Sequence, residues 1–301
     1  MRSNTTTRIL LGVLMVCILV SLASSKTYVN ANAITNILFG NDTASSKENF
    51  ASSACNCVIL RLDDIQDHYH DKAQLAIMNE LISKNVPVSM GIIMHNFGNN
   101  DSDILDKVVE GYKKGLFELS LHGWDHVDYK NLSEAAQQES LSKANMKMTD
   151  IFRVPSRIFI TPYNSFNNST LEAMQKLGLR VISSDKYSDS GPYFVADGSS
   201  NRTDRYNIYH LPQTVELNAW QGDNMIKVPF SDIVNNATEN ISKYGYAIIT
   251  FHPQYYSSVE TDQNPEVLYK ERINDLTNII NHFASSNIKI VSFSKIVGLK
   301  P

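Results

Sequence analysis

The chain has 301 residues, 43% of them hydrophobic and 19% charged, with a formal net charge of −4. That is enough apolar material for one large domain or two small ones. The mild acidity and the absence of any local Lys/Arg cluster leave no basic face for a phosphate backbone, which argues against nucleic acid as a partner.

Arg2 and Arg8 precede an apolar run from Ile9 to Ala23, which is followed by Ser, Lys and Asn. A positive flank before a run of this length predicts a signal peptide over residues 1–23, or an uncleaved N-terminal membrane anchor. Cleavage after Ala23 or Ala33 fits the small-residue rule. The protein is therefore expected outside the cell or at its surface. Asn-x-Ser/Thr triplets at Asn4, Asn41, Asn131, Asn167, Asn168, Asn201, Asn236 and Asn240 agree with export. Residues 24–54 are small and polar without a sustained period, as in a linker. From Cys55 onward the pattern becomes that of a folded domain, 55–301. Cys55 and Cys57 have no second pair downstream, so they read as a local disulfide or as two buried thiols rather than a zinc site.

Hydrophobic patterning predicts strands near 57–63, 87–94, 117–122, 157–162, 179–184, 208–215, 246–252 and 288–293. Helices are predicted over 71–84, 101–114, 132–150, 169–177, 230–243 and 265–286, with Ser133 as an N-cap. Short apolar strands separated by helices imply a parallel sheet, either a barrel or a doubly wound sheet. Roughly seven or eight βα units favour a barrel, complete or incomplete. The stretch 185–228 is rich in turn residues and interrupts the alternation.

Titratable residues recur at the ends of these strands. "VILRLDDIQD" (58–67) runs from a core strand into Asp63 and Asp64, "FELSLHGWDH" (117–126) ends in His122 and His126, and "YAIITFHPQ" ends near His252. In parallel α/β folds the C-terminal ends of the strands open on one face, so these groups should converge. Two histidines four apart can reach one ion, and a carboxylate from the first strand would complete a two-His, one-carboxylate set with positions left for water and substrate. An ion so held lowers the pKa of water to about 7 in favourable cases and polarises a carbonyl. The other aspartate could then serve as general base, and His252 could protonate a leaving group. Taken singly, each element has an ordinary explanation: an Asp pair as a helix N-cap, H-x-x-x-H as coincidence, Pro253 as a strand end. Their joint occurrence at strand ends is what points to a site. His68 and His70 read first as solvated loop positions and only second as rim residues of the cleft, and His95, His210 and His282 have no partner at ligand spacing.

The order of "RLDD", "HGWDH", "TPY" and "FHP" resembles the NodB-homology polysaccharide deacetylases, carbohydrate esterase family four, over roughly 57–295. The resemblance implies a distorted barrel of seven or eight strands. It implies Asp63 as general base, Asp64, His122 and His126 as ligands of a divalent metal, usually Zn2+, and His252 as general acid. It further implies a groove formed by Pro162 and Tyr163, with the Tyr163 amide at an oxyanion site; Trp124 and Tyr163, beside the ligands, could stack on a sugar ring or equally pack in the core or groove. The substrate would be a carbohydrate, such as a cell-surface polymer, losing N-acetyl or related acyl groups. One departure is evident: the family's groove motif carries an Arg that orients the base, and here that position is Ile160. Arg61 and Arg157 are the nearby candidates to replace it. Two other readings compete: a carbohydrate-binding barrel without turnover, and a metal-independent glycoside hydrolase that would need a second acid. Glu118 is the acid to consider for the latter.

Overall fold

The computed structural model describes residues 55–99, 102–185, 193–194, 206–259, 261 and 264–299. The expected leader, 1–23, and linker, 24–54, lie outside the described residues. Among the described residues no helix is long and apolar enough to cross a membrane.

In chain order the domain runs β1 (Cys57–Ile65), α1 (Asp71–Ser83), β2 (Val88–Ile92), α2 (Asp103–Lys113), β3 (Phe117–Leu121) and α3 (Glu134–Phe152). Next come β4 (Ile158–Ile160), α4 (Asn168–Lys176), β5 (Val181–Ser183), β6 (Tyr193–Phe194), β7 (Tyr209–His210) and β8 (Val215–Glu216). A hairpin, β9 (Asn218–Gln221) and β10 (Asn224–Lys227), precedes α5 (Phe230–Tyr244), β11 (Tyr246–Phe251), α6 (Lys270–Ser285), β12 (Lys289–Val291) and α7 (Phe293–Val297). The hairpin was hidden in the turn-rich stretch because its second strand is largely exposed and carries no alternating pattern.

The main sheet has the order β6-β7-β5-β4-β3-β2-β1-β11-β8, with β12 paired to the first residues of β1. Its pairings are parallel apart from β6–β7. β7 adds to β5 and β8 adds to β11, so the single stretch 209–216 lies across the gap between the two ends of the curl. The result is the expected distorted (β/α) barrel, incompletely closed.

Every residue of β1 is buried, which explains its unbroken apolar run: helices cover one face and the barrel interior the other. Val58, Leu60 and Leu62 pack in the layer shared with helix residues such as Ile77, Val108 and Leu141. Cys57 and Ile59 instead join Ile158, Ile160, Val181, Tyr246 and Ile248 inside the barrel. By the two-residue period of a strand, Arg61 and Asp63 continue that inner face. The interior is thus apolar at the strand N-terminal end and ionic at the other.

Local chemistry fixes the helix ends. Ser133 accepts from Ala136 N, as its position predicted, and Asn167 forms a capping box with Thr170. Asn167 therefore uses its side chain inside the fold, and Asn240 is buried, so neither triplet is a freely presented glycan acceptor. α1 starts from His70 in a left-handed conformation without a side-chain cap. Glu266 replaces it from far along the chain, accepting from Lys72 N at 2.8 Å and Ala73 N at 3.0 Å. Glu118 closes the strand N-terminal end of the barrel: its carboxylate accepts from Phe293 N at 2.8 Å and Ser294 N at 2.9 Å. Cys55 and Cys57 form a disulfide at the start of β1.

His210, on β7, is buried, with Nε2 2.8 Å from Ser184 Oγ. Burial, and then the charge of Arg61, push its imidazole down to about 3. An unfolded histidine titrates near 6.5, so between about pH 6.5 and 3 the unfolded chain binds the extra proton and stability falls as pH drops. His210→Gln should remove this dependence. In urea titrations the stability gap between wild type and variant should narrow by about 2 kcal/mol from pH 6.5 to 5. A gap constant across that range would mean the folded imidazole titrates normally.

Candidate active site

The Asp63-Asp64 pair sits on a break in the β1–β2 ladder. Leu62 pairs with Met90 and Ile65 with Ile92, so two residues of β1 stand opposite Gly91 alone. This bulge, with Asp64 at φ 63, turns the second carboxylate away from the first. Gly91 makes the room: a Cβ there would lie 3.1 Å from Asp63 Oδ1 and 3.3 Å from His122 Cγ. Adjacent acids can coexist here because each is given a different partner.

Asp63 faces Arg61. The guanidinium donates through Nε to Oδ1 at 3.0 Å and through Nη2 to Oδ2 at 2.5 Å, and both side chains are almost fully buried. Nη1 also donates to Ser183 Oγ at 3.2 Å, and Nη2 to Asn164 Oδ1 at 2.8 Å. Burial pushes the Asp63 carboxyl up, but Arg61, His122 and His252 pull it down further, leaving it below its usual range. The charge partner missing at Ile160 is therefore supplied from β1. Ile160 itself packs in the barrel interior. Arg157, the other candidate, lines a cavity of about 650 Å³ at the strand N-terminal end, beside Glu118 and Lys295. None of the strand-end acids and histidines described above lines that cavity, so the chemistry is located by the donor atoms and not by this void.

Asp64 faces the histidines. Its Oδ1 is 3.2 Å from His122 Nε2 and 3.3 Å from His126 Nε2. His122 Nδ1 lies 2.8 Å from the Ile160 carbonyl, which can only accept, so Nδ1 carries the proton and Nε2 of the neutral ring offers a lone pair. Asp64 Oδ1 is buried with no hydrogen-bond donor. Three acceptor atoms thus face one another, an arrangement that calls for a cation between them. Burial disfavours charge on both Asp64 and His122, yet their mutual attraction holds the carboxyl well below its usual range and raises the imidazole, a charge pairing in which a cation would take the place of a proton on Nε2. One ligand atom from each of the three residues lies within 4.8 Å of the others. Two imidazoles and a carboxylate, with further positions open, fit a divalent ion. Gln254 Nε2 approaches the other oxygen of Asp64, at 3.4 Å.

His252 stands across the cleft, Nε2 3.8 Å from Asp63 Oδ2, with a quarter of its side chain exposed. Pro162 is buried, while Tyr163 is 64% exposed in a left-handed turn, its ring 4.6 Å from that of His126. Trp124 lies between the two histidines in sequence, but its indole stacks on His95 at 5.2 Å and carries Lys143 Nζ 4.0 Å from its centroid. The group expected to meet a sugar is thus already engaged on the β2–α3 side. Sequence reasoning passed over Gly91, Asn164, Ser183 and Gln254. Ser183 and Gln254 lie at or just past strand ends, the signal that found the others. Nothing in the sequence marks Asn164.

The fold and the site together define a class: parallel-sheet barrels that gather acids and histidines at the strand C-terminal ends. Residues 51–182 match the family model described as polysaccharide deacetylase. That match spans the stretch holding "RLDD", "HGWDH" and "TPY", in agreement with the resemblance those motifs carry. Solved structures share the fold at low identity. A polysaccharide deacetylase described from Mycobacterium smegmatis aligns at 15% identity with a TM-score of 0.59, covering 80% of this chain and 88% of that one. A family four acetyl xylan esterase from Clostridium thermocellum, in complex with cobalt, aligns at 14% identity and a TM-score of 0.53 over 81% and 91%. A family pseudoenzyme from Bacillus anthracis aligns at 14% identity and a TM-score of 0.50 over 81% and 66%.

Proposed function

We propose that the protein is a divalent-metal-dependent hydrolase that removes N-acetyl, or related acyl, groups from a carbohydrate polymer or oligomer. The carrying observation is the convergence of Asp64 Oδ1, His122 Nε2 and His126 Nε2 beside an Asp63 that is held ionised by Arg61. Asp64, His122 and His126 would hold the ion, and Zn2+ suits this donor set. When bound, the ion polarises the acyl carbonyl and acidifies water. Asp63 accepts the proton of the attacking water, with Arg61 fixing its plane. The water oxygen bonds to the carbonyl carbon, the carbon–nitrogen bond breaks, and His252 gives a proton to the departing amine. The Tyr163 amide donates to the oxyanion, Pro162 fixes the turn, and the exposed Tyr163 ring offers a platform for a sugar face. The products are acetate and a free amino sugar. With the N-terminal apolar run as leader or anchor, the reaction would take place outside the cell or at its surface.

The glycoside hydrolase reading loses its second acid, because Glu118 is engaged in capping α7. The binding-only reading rested on Ile160, and Arg61 supplies the charge that position lacks. The test is metal content measured alongside acetate release from chitin oligomers, peptidoglycan fragments and acetylated xylan. The expected result is release that is lost on chelation and regained with Zn2+ or Co2+. A stoichiometric ion with no release from any of these substrates would establish the binding reading instead.

A further inference from the structure

The turn after β4 carries two consecutive left-handed residues, Tyr163 (φ 54) and Asn164 (φ 51), closed by bonds from Asn164 N to Thr161 O at 3.0 Å and from Ser165 N to Pro162 O at 3.2 Å. The two side chains reach different arms of the site. Tyr163 lies against His126, while Asn164 Oδ1 accepts from Arg61 Nη2, the same nitrogen that donates to Asp63 Oδ2. Asparagine tolerates this backbone conformation better than most residues, but glycine would tolerate it as well. The conformation alone therefore does not require an amide here. What the amide adds is an acceptor for a buried guanidinium whose remaining partners are Asp63 and Ser183.

Resting on the hydrolase reading above, we infer that Asn164 is a positioning residue that acts through Arg61: it anchors the guanidinium so that the orientation of Asp63 is tied to the turn presenting Tyr163. The substrate-facing turn and the base are thereby one mechanical unit, although Asn164 touches neither substrate nor reacting atoms. Without the amide oxygen, Arg61 keeps its charge but loses one of the contacts that fix its plane, so the base is less well aimed and substrate binding is little changed.

Asn164→Gly keeps the left-handed turn and removes only the amide. It should lower kcat about tenfold with KM within about twofold. Asn164→Asp, which sets a second carboxylate in competition for Arg61, should lower kcat further. The decisive measurement is a double-mutant cycle with Arg61→Lys, read both in kcat and in the urea midpoint of the chelated protein. The effect of Asn164→Gly should fall below half its wild-type size in the Arg61→Lys background on both readouts. Additive midpoint shifts would overturn the inference whatever the activity. A coupled midpoint in a protein that releases no acetate would sink the hydrolase reading while leaving the Arg61–Asn164 support standing. A KM change equal to the kcat change would also overturn the inference, since it would place Asn164 in substrate binding.

Discussion

Replacing Arg61 by methionine is expected to cost about 3–5 kcal/mol of folding stability at neutral pH. Asp63 is buried, and Arg61 contacts both of its oxygens. Without that partner the carboxylate remains as an uncompensated charge in the barrel, or it takes up a proton. The two outcomes are separated by pH. In the wild type the Asp63 pKa is lowered, so its contribution is present above the unfolded value near 3.9 and is lost as pH falls through the folded one. In R61M burial acts with much less opposition and raises the folded pKa. The variant should then lose stability as pH rises above about 4, and its deficit should be smaller at pH 4 than at pH 7. Urea titrations at the two values check this. A deficit that does not change with pH would mean that lost packing, not lost charge, explains the cost.

The same reasoning gives a rescue. Ile160 pairs in register with Ser183, and Ser183 Oγ already accepts from Arg61. Residues paired in register on neighbouring strands share a face, so an arginine at 160 would start from the wall that the present guanidinium reaches. Adding Ile160→Arg to R61M should recover part of the lost stability and turnover. R61K should fall between, since an ammonium cannot span Asp63, Ser183 and Asn164 in one plane.

Much of this was legible in the sequence, and the reasons differ by element. β1, β3 and β11 announced themselves because parallel strands buried on both faces are nearly continuous apolar runs, and their polar ends then stand out. The Arg61–Asp63 pairing was readable in principle, since residues two apart on a strand share a face. What could not be read is that the curl of the sheet brings Ser183 of β5 and the turn after β4 to that same guanidinium. Such contacts depend on long-range closure, which no local pattern encodes. Trp124 shows the converse: it lies between His122 and His126 in sequence, but past the end of β3 its ring turns toward His95. The bulge that separates Asp63 from Asp64 was also invisible, because it is defined by register against Gly91 and not by composition.

That bulge makes the strongest functional expectation a contrast between neighbours. Asp63→Asn preserves shape but removes the base and its charge, so turnover should fall by about 10²–10⁴ while a divalent ion still binds. Asp64→Asn should do the reverse in order of cause: the ion is lost first, and activity with it. Neutralising Asp64 leaves His122 and His126 without the anionic donor whose Oδ1 stands within 3.3 Å of both rings. The two can be told apart without an assay for turnover. An ion that binds only the folded state at 100 times its Kd adds about 2.7 kcal/mol of stability, so wild type and Asp63→Asn should both melt several degrees higher with Zn2+ than with chelator. Asp64→Asn should show little shift. If Asp63→Asn also lost the thermal shift, both carboxylates would be serving the ion, and the division of labour between these adjacent acids would be wrong. If Asp64→Asn kept it, the cation would sit elsewhere, and the three facing acceptors would need another explanation.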